Sequence, residues 1–160
     1  MVLQESRWEL DENEDISMCI VLAAMALECE LARLFRKAFL LETPGFSEAE
    51  FEEKLRELGN AQRKIEAICK KMDPEGIDAF VGKTPGVKDE ITTYFPDLSA
   101  RPLAGGIQKA VFWPRNAILH AGNAKRDRRE GVYVFCVAEL GLRILRSLEL
   151  GKWGFLGDLN

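Results

Sequence analysis

Apolar residues recur at helical spacing along most of this chain, and the places where the recurrence fails mark the element boundaries. Ile16, Ile20, Ala23, Leu27, Leu31, Leu34, Phe35 and Ala38 repeat every three or four positions, which predicts a long helix from about Ile16 to Leu41 with Asp15 as its cap. The first half of that segment, SMCIVLAAMAL, is apolar nearly all round. A surface helix shows a single apolar stripe, so this one is expected to lie centrally or to bury a second face in a dimer. LETPGF ends it, and Ser47 with Glu50 forms an S-x-x-E capping box ahead of a second stripe, Phe51, Leu55, Leu58, Ala61, Ile65, Ile68 and Met72. This predicts a second helix with Gly59 as its weak point.

Residues 76 to 106 are rich in Gly and Pro and read as an irregular connection holding one short helix at about Val87 to Tyr94. A third long helical pattern, from about Leu103 to Ala121, contains Pro114, which would kink a continuous helix or start a new one. Trp113, preceding that proline, leans away from helical geometry. After AGNAKRDRREG a last stripe, Val134, Ala138, Leu142, Leu145 and Leu148, predicts a helix from about Val132 to Leu148. No alternating run of strand length stands out, so the expected fold class is all-α, a helical bundle of four main helices plus a short helix. At 160 residues the chain is expected to form one domain, with the acidic segment 1–14 loosely ordered.

Composition leaves this picture intact: 47% hydrophobic and 30% charged residues are ordinary for a globular protein. The start is acidic rather than signal-like, and the apolar run at Met18 to Leu27 is too short to span a bilayer, so no membrane is expected and a cytoplasmic location is. The four cysteines, Cys19, Cys29, Cys69 and Cys136, form no CxxC pair and read as small buried residues. With one histidine and scattered carboxylates, neither a metal site nor a cofactor is expected. GKTPGVKDE lacks the glycine spacing of a phosphate loop and reads as a turn. Glu28 and Glu30 are two residues apart, point to different sides, and are expected to be solvated or salt-bridged rather than a paired acid site.

Charge is distributed unevenly. Residues 1 to 60 carry 14 Asp/Glu against 6 Lys/Arg, whereas residues 101 to 130 carry 7 Lys/Arg against 2 Asp/Glu. The basic segment surrounds the only histidine, in VFWPRNAILHAGNAKRDRR. A side chain whose pKa lies near 6.5 can give or take a proton at neutral pH, and a guanidinium suits phosphate oxygens. Arg115, Asn116 and His120 therefore have the equipment for metal-free cleavage of RNA. Asn116 and His120 share a helix face, so the amide can orient the imidazole. Arg115 and His120 stand about 140° apart on a straight helix. They converge only if Arg115 sits at a bent helix start or if a second chain completes the site. The alternative is a half-buried histidine closing a helix, with Gly122 as its cap. Phe112 and Trp113 could stack a base, though core packing is the expectation for both. Lys125, Arg126, Arg128 and Arg129 could grip RNA backbone or form a solvated loop.

Arg115, Asn116 and His120 resemble the R-x4-H form of the Rx4-6H motif of the HEPN superfamily, in which a polar residue often follows the arginine. RNAILHAG is similar to the R-N-x-x-x-H-G segment of many members, with Ala121 inserted before Gly122. The motif's late position, with one amphipathic helix after it, also resembles the family. The resemblance implies a HEPN-like helical bundle that dimerises with the two motifs facing one another. It implies a metal-independent endoribonuclease acting on single-stranded RNA, as in toxin-antitoxin, abortive-infection and CRISPR-linked defence systems, with an antitoxin or regulatory protein as a further partner. Arg115 and His120 would be catalytic and Asn116 orienting. Many HEPN domains are instead non-catalytic binding or regulatory modules, which is the alternative.

Overall fold

Two long helices carry the structure. The computed structural model describes residues 2–12, 14–42, 44–100, 102–121 and 126–154. It is all-α, about 82% helical, with no strand among the described residues. The helices are α1 (Val2–Asp11), α2 (Ile16–Glu42), α3 (Glu48–Glu57), α4 (Ala61–Met72), α5 (Ile77–Lys83), α6 (Val87–Tyr94), α7 (Pro96–Ser99), α8 (Leu103–Ile107), α9 (Trp113–Ala121) and α10 (Arg128–Leu150). A π-helical turn, Gln108–Phe112, joins α8 to α9. Helix α2 packs against α1, α4, α9 and α10, which accounts for an apolar first half that one stripe would not require. Ile20, Leu27, Leu31, Leu34 and Phe35 of α2 are buried to 1% exposure or less. They meet Ile65 and Ile68 of α4, Ile107 and Phe112 beside the π turn, and Leu140, Ile144 and Leu145 of α10 in one hydrophobic cluster. No helix among the described residues is long and apolar enough to cross a membrane.

Four local expectations are corrected. The N-terminal segment is not loose: Val2–Asp11 is helical, with Leu10 buried and the Ser6 hydroxyl donating to the Cys19 carbonyl at 2.8 Å. The second helix is two helices, because Gly59 adopts φ 71° and Asn60 then caps α4 through the Arg63 N–H. A positive φ is a conformation glycine reaches at little cost, so Gly59 stops the helix rather than merely weakening it. The stretch expected to be irregular is built of the short helices α5 to α8. Gly76 and Gly86, at φ 83° and 87°, turn the chain immediately before α5 and α6. Cys29 is exposed and Cys136 half-buried, whereas Cys19 and Cys69 are buried as expected.

Pro114 neither kinks the chain out of helix nor starts a separate one. In an α-turn its ring would press on the carbonyl four residues back, and it has no N–H to donate. Here the preceding turn is widened to π, and the Trp113 N–H reaches the Gln108 carbonyl five residues back. Trp113 itself is helical, at φ −65° and ψ −47°, despite preceding proline. The Gln108 side chain accepts from the Gln62 N–H at 3.0 Å and so ties the wide turn to the start of α4.

Candidate functional site

Helix α9 presents the RNAILH segment. Because the irregularity lies before Trp113, α9 is regular through both Arg115 and His120, and the two side chains keep the angular separation of about 140° that a straight helix imposes. The bent start that would bring them together within one chain is absent from α9.

Arg115 turns toward α2, where its Nη2 donates to Glu28 Oε1. Its side chain is 19% exposed, that of Glu28 41%. The guanidinium carbon lies 5.7 Å from the centre of the Phe112 ring. The Arg115 Nε is buried and has no hydrogen-bond partner among the described residues. Part of this guanidinium is therefore committed to a carboxylate, and its Nε is sealed from solvent without a partner among the described residues.

His120 is exposed near the end of α9, and among the described residues it makes no hydrogen bond. Asn116 is half-buried one turn earlier on the same face. The histidine is thus not a buried core residue, and the cap expected at Gly122 lies outside the described residues. Phe112 is buried, as core packing requires, but Trp113 is 58% exposed, which corrects the expectation that it packs in the core. Its ring centre lies 5.9 Å from Lys109 Nζ. Leu119, beside His120, is likewise 58% exposed.

The four basic residues that follow do not share one environment. Lys125 lies outside the described residues. Arg126 is 19% exposed and paired with Glu130 at 2.9 Å one turn along. Arg128 reaches the carboxylates of Asp11 at 3.6 Å and Glu14 at 4.0 Å. Arg129 is exposed at the start of α10 and has no ion pair among the described residues. Arg128 and Arg129 both line a groove between α6 and α10.

The site residue that the motif did not signal is Glu28. A salt-bridged role for it was legible, but its partner is 87 positions away and is set only by the packing of α2 on α9. Glu30 is likewise salt-bridged: 6% exposed, it meets Arg33 at 2.7 Å and Arg146 at 3.4 Å. Among the described residues, no three of His, Cys, Asp or Glu gather in a way that could hold a metal ion. No family model, curated protein or solved structure matches the chain.

Proposed function

We propose that this protein is a metal-independent endoribonuclease of HEPN type, acting on single-stranded RNA in the cytoplasm as a homodimer, in the manner of toxin-antitoxin or defence nucleases. The observation that carries this reading is the exposed His120, one turn beyond Asn116 on the same face of α9 and beside the exposed Leu119. An imidazole held at the surface, rather than packed away, is within reach of a bound substrate.

The chemistry follows from the groups. The His120 imidazole takes the proton of a ribose 2'-hydroxyl as its oxygen attacks phosphorus. The bond from phosphorus to the 5'-oxygen breaks, that oxygen takes the proton from the imidazolium so formed, and the product strand carries a 2',3'-cyclic phosphate. Arg115 steadies the charge gathering on the phosphate oxygens once they replace Glu28 at its guanidinium. Because Arg115 and His120 diverge on one helix, the site combines Arg115 of one chain with the partner subunit's His120. Trp113 and Leu119 supply exposed apolar surface for that pairing or for a base to stack on. Arg126, Arg128 and Lys125 contribute salt-dependent attraction for the RNA backbone.

The Arg115–Glu28 pair favours a second reading, a non-catalytic HEPN-like module that binds a protein or nucleic acid partner, since an arginine already neutralised has less to offer a phosphate. Mixing two inactive variants decides between them. A site shared by two chains gives one intact site in each heterodimer of Arg115→Ala with His120→Ala, and random pairing then restores about a quarter of wild-type RNA cleavage. A binding module yields no cleavage by any of the three proteins.

A further inference from the structure

Helix α10 carries two seams of three-four spacing. Gly131, Val134, Ala138, Gly141 and Leu145 face the core, where the glycines let α10 approach Ile16, Leu10 and Leu27 closely. Arg129, Val132, Cys136, Glu139 and Arg143 repeat the same spacing two residues earlier, which places them about 200° round the helix, on the opposite side. This second seam lines the groove of about 760 Å3 between α6 and α10. Val132 is 42% exposed within it, and Tyr94 stands 71% exposed on the α6 rim. Arg143 is already satisfied by Glu90. Arg129 and Glu139 have no ion pair among the described residues and sit ten positions apart at either end of the apolar stretch.

We infer that this seam is an interface between two copies of the chain, packed antiparallel along α10 about a two-fold axis at the level of Val134. That axis sets Arg129 opposite the partner's Glu139 and Val132 opposite the partner's Cys136, and by symmetry each pair occurs twice. Alternating three-four spacing is the pattern that antiparallel helices interdigitate. The unpaired cation and anion favour a second copy as the occupant: with the helices running in opposite directions in this register, Arg129 and Glu139 of each chain meet the opposite charge of the other. The seam faces away from α2, the helix that Arg115 reaches, so this interface is separate from the pairing proposed for the α9 faces and joins one such homodimer to another.

Cross-linking reads this contact alone. In a Cys29→Ser background, Val132→Cys treated with diamide should give a disulfide-linked dimer through the partner's Cys136. The link should be lost when Cys136→Ser is added. Arg129→Glu should slow linking about tenfold by setting like charges opposite, and Glu139→Arg in the same chain should restore it. Circular dichroism verifies that each variant is folded. A folded variant that stays uncross-linked, or that links equally well without Cys136 or with Arg129→Glu alone, overturns the interface.

Discussion

Removing the carboxylate of Glu90 should be among the most damaging changes outside the central cluster. Arg143, on the face of α10 turned toward α6, is 7% exposed. Its Nη1 and Nη2 donate to the two Glu90 oxygens at 2.6 and 2.9 Å, its Nε donates to the Gly154 carbonyl at 3.0 Å, and its guanidinium stacks 4.3 Å from the Trp153 ring centre. One cation therefore ties α6 and the segment after α10 to the last helix. Breaking a buried ion pair by deleting one partner costs about 3–5 kcal/mol, because a desolvated charge is left behind. The Glu90 side chain is 24% exposed, so water compensates in part, and we place Glu90→Ala at about 2–3 kcal/mol. In a chain of this size that lowers Tm by roughly 5–10 °C. Urea unfolding compares wild type, Glu90→Ala, Glu90→Leu, Arg143→Met and the double variant Glu90→Leu with Arg143→Met, the last three closing a cycle with wild type. The apolar double variant should recover most of the loss, since the cost lies in the stranded charge rather than in the missing attraction. A Glu90→Ala cost below about 0.5 kcal/mol, the level of an exposed pair, would refute the reasoning.

Other perturbations separate further contributions. A Cβ at Gly131 would meet Ile16 Cγ2 at 2.8 Å, whereas at Gly141 it would meet the two Leu27 methyls at 3.3 and 3.4 Å. Relief of glycine's helix penalty, about 1 kcal/mol, should leave Gly141→Ala near neutral, while overpacking makes Gly131→Ala net destabilising by about 1 kcal/mol; denaturant titration of the two variants checks the order. Glu149 accepts from Arg33 and Lys37, whose hydrogen bonds hold its carboxyl down from the ordinary 4.5 to about 2. The stability it provides is complete above pH 4.5 and is lost as pH falls through 2, so Glu149→Gln should destabilise at pH 7, by on the order of 1–2 kcal/mol given the exposed cations, and by only a small fraction of that at pH 2. Glu28→Gln removes the charge that neutralises Arg115; RNA cleavage should rise and its salt dependence steepen, and unchanged kinetics would show that Glu28 does not compete with phosphate.

The long-range architecture was written in periodicity because burial of a helix face leaves a direct trace in sequence. The α2 and α10 stripes, and the capping box in which Ser47 accepts from the Glu50 N–H, were legible for that reason. What periodicity could not show was how a local conflict resolves. Pro114 raises the possibility of a kink or a fresh start, yet a widened turn that spares both cannot be distinguished from them in one sequence. Gly59 could be weighed as a cost but not as a full stop, and residues 76 to 106 hid short helices because their capping glycines look like loop composition. At the site, the shared face of Asn116 and His120 was legible because it depends only on helix geometry. The commitment of Arg115 to Glu28 was not, because it depends on which helix α9 meets.

The central claim is tested most directly by the rate of cleavage of a mixed-sequence single-stranded RNA in EDTA, wild type against folded His120→Ala. The account predicts that wild type cuts, leaving 2',3'-cyclic phosphate ends, and that the variant is slower by a factor of about 100 or more, the contribution of a positioned proton-transfer group. Equal rates for the two proteins, or no cleavage by either, would contradict it.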